Sequence, residues 1–560
     1  MKPNKMHPLI PEAQEMLRKG QISRRDFLRF STLLGLSLTS ARFLAACAAQ
    51  ETAAPQPTSA PTQPAPTEVP KPTIVRGGTL RAATRVERVD HPARFSLVSQ
   101  SHAWRHVFDY LTYTDPQGVT HPYLLDKWEA SDDLLTWTLT LKKGIKFSNG
   151  SEFTADDVIF NFQQWLDKDV GSSLLGAMSY LTKEGVTKKD DYTVLCAFSS
   201  PSIFLPEHLF QYPAAILPKT FGGDITREPV GTGAFDMVEY VPAERCRLVA
   251  RKDYWRNGED GKPLPYLDEI IMVQLGEDRA ADLAAMQSGQ VDTIIEPPVS
   301  IWEALKDAPN LSVISTPTAA TRVLRMRVDQ DPWTDNRVCQ ALKHCQNREK
   351  ILAVALQNQG TIGNDSHVAP AHPEYVEVPP YPFDTAKSKA LLAEAGLADG
   401  VTVELVVPSD WPESMAYAQA LKEDAAAGGF TINLKTMPAS QYWDGWTEWN
   451  LGITWWAHRT LAPMLLPLAY IAGEDGKPVP WNETRWVDEE FSSILKEAEG
   501  TLDLGKRREL VGKLEVIQKE RGSVCIPFFM NVWKIYDKKI HGIVPSPEEY
   551  AIFHETWKEA

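Results

Sequence analysis

Between Asp384 and Leu434 the hydrophobic period of the chain switches repeatedly between that of a helix and that of a strand. Ala386, Ala390, Leu391 and Ala395 make one apolar helical face, which Gly396 closes. Val401, Val403, Leu405 and Val407 then alternate as a strand, Ser414 to Ala427 reads as a second helix, and Phe430, Ile432 and Leu434 alternate again. This is a β-α-β unit, and it commits the chain to mixed α and β lobes. No internal repeat of fixed period is present, so a solenoid is excluded.

Two other stretches carry the same grammar. Trp137, Leu139 and Leu141 face one way and Thr136, Thr138 and Thr140 the other, as in a half-buried strand. After a Ser148-Asn149-Gly150 turn, Thr154 with Asp157 three residues on predicts a capped helix, with Val158, Phe162 and Trp165 on its packing stripe. Further along, a short helix from Ala280 carries Leu283 and Met286, stops at Gly289 and feeds a strand over Val291 to Ile294.

The amino terminus reads differently. Ser23-Arg24-Arg25-Asp26-Phe27-Leu28-Arg29 precedes an apolar stretch that ends at Leu44-Ala45-Ala46-Cys47. The run is diluted by Ser and Thr and is shorter than the roughly 20 apolar residues a spanning helix needs, which makes it a signal-peptide core. Arg24 and Arg25 resemble the address of the twin-arginine export pathway, and Leu-Ala-Ala-Cys resembles a lipobox with Cys47 as the lipid-attachment residue. Residues 1–46 are thus expected to be a twin-arginine signal peptide.

From Ala48 to Thr73 there are seven prolines among Ala, Thr and Gln, with no aromatic residue, Leu or Ile. Such a segment cannot bury a core, so residues 47–74 read as a disordered tether reaching about 80 Å when extended. The expected location is outside the cytoplasm, on the outer face of its membrane or in the periplasm.

Net charge is -15, and removal of Met1 to Ala46, with eight Lys and Arg against three Asp and Glu, takes it to -20. An acidic body argues against nucleic acid and against lying on anionic lipid. Beyond Cys47 five cysteines remain, Cys196, Cys246, Cys339, Cys345 and Cys525, with no CxxC pair or His-Cys metal spacing. An odd number leaves at least one free thiol, so the fold must hold by packing.

Five stretches occur in an order that resembles one family: WTLTLKKGIKFSNGSEFTADDVIF (Trp137 to Phe160), PVGTGAFDMVEY (Pro229 to Tyr240), ARKDYWR (Ala250 to Arg256), PWTDNRVCQALKHCQNREKI (Pro332 to Ile351) and DTAKSKALLAEAG (Asp384 to Gly396). They are similar to the family 5 extracellular solute-binding proteins of peptide, nickel and opine ABC importers.

The resemblance implies an α/β, bilobal, periplasmic-binding-protein-like clamp of type II with an extra subdomain, closing on its solute by a hinge. The expected division is lobe I over 75–315, with the extra subdomain at about 96–213, lobe II over 316–525, and a return to lobe I over 526–560. The hinge is expected near Leu311 to Pro317 and Ser523 to Phe528, both extended segments flanked by turn residues.

Five of seventeen tryptophans fall between Gln441 and Arg459. Trp443, Trp446 and Trp449, spaced by three, read as one packed helical stripe, the reading favoured for Trp446 and Trp449, and Trp443 is also a cleft candidate. Trp455, Trp456, His458 and Arg459 follow a strand-like Leu451 to Thr454 and are the main ligand candidates. Aromatic rings offer rigid walls and an arginine pairs with a carboxylate. Ser101 and His102 are weaker candidates from the other lobe, with Ser99 and the Gly231-Thr232-Gly233 loop.

Peptide-binding members of the resembled family commonly carry an acidic residue soon after the tryptophan, pairing with the peptide's α-ammonium. This chain has Ala457-His458-Arg459-Thr460 there, which favours an anionic group.

No GxSxG, HExxH, phosphate-binding glycine loop or nucleotide fingerprint is present, and Asp156-Asp157 is explained by a helix cap. The chain is therefore expected to capture a peptide-like or other small organic solute without catalysis. It is expected to need no cofactor or metal, to act as a monomer, and to deliver the solute to an ABC permease with its ATPase subunits. A ligand-binding sensor, or a nickel-chelate or haem binder of the same fold using His458, His102 or Met residues, are the alternatives.

Overall fold

The computed structural model describes residues 73–559 apart from 117, 277, 278 and 474, and ahead of them only positions 13, 16, 17, 19, 27 and 28. Arg24, Arg25, Cys47 and almost all of the tether lie outside the described residues. Among the described residues no helix is long and apolar enough to cross a membrane. The five cysteines of the folded region are free and buried.

The chain enters the main sheet at β1 (Thr79–Ala83) and leaves it for a hairpin, β2 (Thr112–Thr114) and β3 (Thr120–Pro122). A four-stranded antiparallel sheet follows, made of β4 (Leu125–Ala130), β5 (Thr136–Leu141), β6 (Leu181–Asp190) and β7 (Thr193–Phe198) in the order β4-β5-β7-β6. The alternation expected at Trp137 to Leu141 holds, with Trp137, Leu139 and Leu141 buried. Helix α1 (Ala155–Trp165) covers this sheet, and both halves of its capping box form between Thr154 and Asp157. The aromatic stripe Phe162 and Trp165 is core, as the spacing required.

The chain then returns through β8 (Phe235–Val241), β9 (Arg245–Ala250), β10 (Glu269–Val273), helix α2 (Ala280–Gln287) and β11 (Thr293–Ile294). Gly289, at φ 71°, ends the α2 segment where a stop was expected. Strand β1 lies parallel between β10 and β11.

Next comes β12 (Leu311–Met326), the long strand that joins both halves of the molecule. Helix α3 (Asn336–His344) and the short β13 (Gly360–Ile362) lead to α4 (Thr385–Glu394), β14 (Val401–Pro408), α5 (Pro412–Ala427) and β15 (Phe430–Met437). The β-α-β unit is as the sequence indicated, and β14 pairs with β15 in parallel over its full length. Helix α6 (Ala439–Asp444), β16 (Leu451–Trp456), α7 (Leu504–Arg521), β17 (Val524–Cys525) and β18 (Phe528–Asp537) complete the frame.

Twelve strands among the described residues form one sheet, with the path β15-β14-β16-β12-β18-β11-β1-β10-β9-β8. The two halves meet where β12 and β18 run antiparallel side by side. Separate cores sit on either side of that seam. One gathers Leu80, Leu248, Ile270 and Met272 with the four-stranded sheet; the other gathers Leu324, Leu405, Val407, Tyr417, Phe430 and Ile453. The β12–β18 register shifts between Pro317 and Thr321, so the seam carries a bulge. Three bonds hold the bulge: Thr318 Oγ1 donates to Met530 O at 2.8 Å, Ala320 N donates to Thr318 Oγ1 at 2.9 Å, and Ala319 N donates to His458 Nδ1 at 3.0 Å.

Candidate functional site

In open α/β sheets ligands settle outside the carboxyl ends of the parallel strands. In this molecule β14 ends at Pro408 and is followed by Trp411, Pro412 and Glu413, the start of α5. On the other side β11 ends at Ile294 and is followed by Glu296, and β1 ends at Ala83 and is followed by Thr84 and Arg85. The candidate cleft lies between these strand ends, beside the β12–β18 seam.

Its lobe II wall is built around Arg322. Arg322 pairs in register with Trp455 across β12 and β16, so both side chains stand on the same face of the sheet. The guanidinium lies 5.0 Å from the Trp411 ring and 5.9 Å from the Trp455 ring, a cation between two indoles. One terminal nitrogen, Nη2, donates to Glu413. Nε and Nη1 have no partner among the described residues, although Arg322 is only 7% exposed. A buried guanidinium with N–H groups left over at Nε and Nη1 can take a further acceptor such as a carboxylate oxygen, because leaving buried donors unpaired costs about 1–3 kcal/mol.

The tryptophan segment is fixed from behind. Arg325, fully buried, donates to the carbonyls of Trp446 and Trp449, and Arg327 donates to Thr447 O at 2.8 Å. The helical stripe expected for Trp443, Trp446 and Trp449 is not there: α6 ends at Asp444, and Trp446 and Trp449 lie beyond it. Gly445 breaks the helix, and a Cβ at Gly445 would lie 2.8 Å from Trp449 Cζ2. The three tryptophans still pack around Tyr442, which takes the Trp449 indole N–H on its carbonyl at 3.1 Å.

The opposite wall is charged. His102 is fully buried and its Nε2 lies 3.1 Å from Glu296 Oε1, while a quarter of the Glu296 side chain remains accessible. Burial would push Glu296 up, but the adjacent His102 holds it below the ordinary carboxyl value. Lys534 of β18 donates to Tyr550 O at 2.8 Å, and burial lowers its ammonium to about 8. Glu549, next to Tyr550, is pushed well above the carboxyl range by burial and then by the charge of Glu296. Both acids sit at positive φ, 51° for Glu296 and 64° for Glu549.

His458 and Glu548 join the walls. Since Ala319 N–H donates to His458 Nδ1, the ring proton of the neutral imidazole is on Nε2, which lies 3.7 Å from Glu548 Oε1. Glu548 also accepts from Thr460 Oγ1 at 3.1 Å and Ser546 Oγ at 2.9 Å. Burial raises its carboxyl, yet His458 and Ser546 hold it below the ordinary value. Arg459 is half-buried, donates to His458 O at 3.0 Å, leaves Nε without a partner among the described residues, and faces the Tyr212 ring at 6.0 Å.

Of the residues singled out in the sequence, Trp455 flanks Arg322, His458 lies beside Glu548, Arg459 faces Tyr212 and His102 lies against Glu296. Trp443 stands one ring further back, edge-on to Trp411 at 5.7 Å. Trp456 is turned the other way: neighbouring residues of a strand point to opposite faces, and its indole N–H donates to Glu483 at 2.8 Å inside the lobe II core. Ser101 is also removed from the cleft surface, fully buried with its hydroxyl donating to Val98 O at 2.7 Å.

Arg322, Trp411, Glu413, Glu296, Lys534, Glu548 and Glu549 were missed. The available signal was the stretch Thr321 to Val328, which bears three arginines, Arg322 and Arg325 in β12 and Arg327 just past its end, where a central strand should be apolar.

Residues 119–471 match the bacterial extracellular solute-binding proteins, family 5 (middle). The chain belongs to this family. As a family 5 solute-binding protein it serves an ABC importer, and its relatives agree in length as well as in sequence. Di/tripeptide-binding protein 1 of Pseudomonas aeruginosa is 26% identical over 493 residues, covering 80% of this chain and 88% of the relative. Heme-binding protein A of Haemophilus influenzae is 26% identical over 470 residues, covering 77% and 83%. Among solved structures, the PBP AgaA in complex with agropinic acid from A. tumefaciens R10 superposes with a TM-score of 0.76 at 20% identity, covering 86% of this chain and 99% of that one. The periplasmic binding protein DppA from Helicobacter pylori in complex with peptide STSA gives 0.75 at 21% identity, covering 87% and 99%. The fold of this family 5 protein is therefore the bilobal type II clamp.

Proposed function

We propose that this family 5 protein captures a peptide-like or other small organic solute bearing a carboxylate in the cleft between its lobes. It releases the solute unaltered to the permease. The observation that carries this reading is Arg322, buried between Trp411 and Trp455 with Nε and Nη1 unpartnered among the described residues. A carboxylate oxygen of the solute can accept from one of these donors, which point in different directions, and the two indoles form the apolar walls against which the solute body packs. Arg459 Nε and His458 Nε2 are further donors without a hydrogen-bond partner among the described residues. A peptide-like solute is the class named by the di/tripeptide-binding relative.

The mechanism is capture by closure. Lobe I over 75–315, with its subdomain at about 96–213 and the returning segment 526–560, closes on lobe II, 316–525, about the crossing segments Leu311 to Pro317 and Ser523 to Phe528. Solute that touches both lobes binds the closed form better than the open one and shifts the population toward it. No group in the cleft has a catalytic task. The protein works as a monomer, exported by the Arg24-Arg25 signal, lipid-anchored at Cys47, and held near its permease by the 47–74 tether. Tethering of this kind raises effective concentration toward the mM range for short flexible linkers.

Isothermal titration of a carboxylate-bearing solute against the wild type and Arg322→Ala tests the reading. A loss of about tenfold to 150-fold is expected, since a charge-assisted pair is worth about 1.5–3 kcal/mol. Unchanged affinity removes Arg322 from the site. For the anchor, the intact mass of the mature protein must begin at Cys47 and include acyl chains; a chain beginning elsewhere contradicts lipidation.

A further inference from the structure

We infer that the proline-rich tether docks on its own protein, the segment Pro55 to Pro72 lying as a polyproline II helix in an aromatic groove beside the β2–β3 hairpin. The inference is independent of the solute site at Arg322.

The segment is patterned for such a helix. Polyproline II has three residues per turn, so positions three apart share an edge. Pro55, Pro61, Pro64 and Pro70 fall on one edge, and Pro57, Pro66 and Pro72 on a second. The third edge holds Gln56, Ser59, Thr62, Ala65, Glu68 and Lys71, which include both charged residues of the segment. Extension alone does not require a proline-free edge. Two proline edges backed by a polar one suit an aromatic-lined groove, which is how proteins bind helices of this kind.

The groove is a cavity of about 490 Å³. Tyr113 of β2, Tyr123 just past β3, Trp255 and Tyr550 line it, together with the exposed Val544. Tyr123 meets Tyr113 at 6.1 Å and stands edge-on to Trp255 at 5.3 Å, so the three rings form a continuous wall. The Trp255 indole N–H donates to Asp109 at 2.8 Å, and the Tyr123 hydroxyl is paired with that of Tyr254 at 2.8 Å. With their polar atoms satisfied within the protein, these rings offer apolar surface to the groove. Lys142, 5.4 Å from the Trp255 ring, donates to the carbonyls of Tyr123 and Leu125, and its third ammonium N–H is left for a carbonyl of the tether.

The place where the tether joins the body selects it as the occupant. Continuous described chain begins at Thr73. Gly77 N donates to Tyr266 O at 2.8 Å, and Tyr266 N donates to the carbonyl of His554, a lining residue, at 3.4 Å. Two such chain-to-chain spacings put the entry point about 10 Å from the groove wall. At about 3.1 Å per residue, the stretch from Pro64 to Thr73 spans roughly 28 Å, enough to reach the groove and lie along it. A groove this close meets the tether at an effective concentration in the mM range, so modest intrinsic affinity suffices to fill it. Docking shortens the free tether and sets which face of the body adjoins the amino terminus.

The test is photo-cross-linking of the full chain carrying p-benzoylphenylalanine in place of Val544, read by peptide mass spectrometry. Cross-links are expected within residues 55–72. Replacing the seven prolines by alanine, a change wholly outside the folded body, is expected to lower their yield by about fivefold or more. Equal yields from the two tethers reduce the contact to proximity and overturn docking. Cross-links that fall on a second molecule, or on no tether residue, overturn it as well.

Discussion

At Arg322 the guanidinium carries more donors than Glu413 uses, and this surplus is what makes it a recognition group rather than a structural pair. Arg322→Lys keeps the charge but loses the planar fork, so affinity for a carboxylate solute should fall by about tenfold by calorimetry with the melting temperature little changed. An equal affinity would mean that charge alone suffices. The adjacent tryptophans make the complementary case. Trp456→Phe removes the indole N–H from buried Glu483 and should cost about 1–3 kcal/mol of stability in urea unfolding while leaving solute affinity intact. Trp455→Ala should do the reverse. The tryptophan cluster was legible in composition, but strand parity decides which indole faces the cleft, and the strand was read as ending at Thr454 rather than continuing to Trp456. The acids of the far wall left no local signal, because Glu296 and Glu549 meet only through the β11–β18 pairing and the returning chain.

Elements with strong local chemistry were read correctly from the sequence. Thr154 with Asp157, Asp384 before α4, and the alternation of β14 and β15 each act within a few residues, and the structure forms all of them. Asp384→Ala, which removes the side-chain acceptor for Lys387 N at 2.8 Å, should cost about 1 kcal/mol in unfolding and leave solute binding unchanged. The Trp443-Trp446-Trp449 spacing misled because Gly445 ends α6 and Arg325 of β12 holds the following turns by the Trp446 and Trp449 carbonyls, a tertiary constraint that outweighs periodicity. The bulge at Thr318 to Ala320 is likewise invisible in sequence, since its partners Met530 and His458 are distant in the chain.

The whole molecule hangs on one sheet that runs through both lobes, with the cleft at the strand ends. Its stability should respond to pH through Glu515, buried in α7, which burial pushes up to about 8 against the donors Asn364 Nδ2 at 2.9 Å and Val376 N at 3.2 Å. A carboxyl raised in the folded state contributes fully below its unfolded value of about 4.5. That contribution declines as pH rises until about 8, a loss on the order of a few kcal/mol. Urea unfolding at pH 5 and pH 8 should show a smaller difference in Glu515→Gln than in the wild type; equal differences would exclude Glu515 as the source. At this scale the fold was legible because five family stretches stood in order, whereas the solute was not, because the cleft assembles side chains from β11, β12, β16, the start of α5, β18 and the carboxyl-terminal segment.

The most direct measurement is native mass spectrometry of the protein purified from its own host, followed by denaturation and analysis of what is released. The account expects one small organic molecule carrying a carboxylate, retained by the wild type, unchanged in mass after prolonged incubation, and lost from Arg322→Ala. A bound species that is chemically converted on the protein, or one that Arg322→Ala retains equally well, would contradict it.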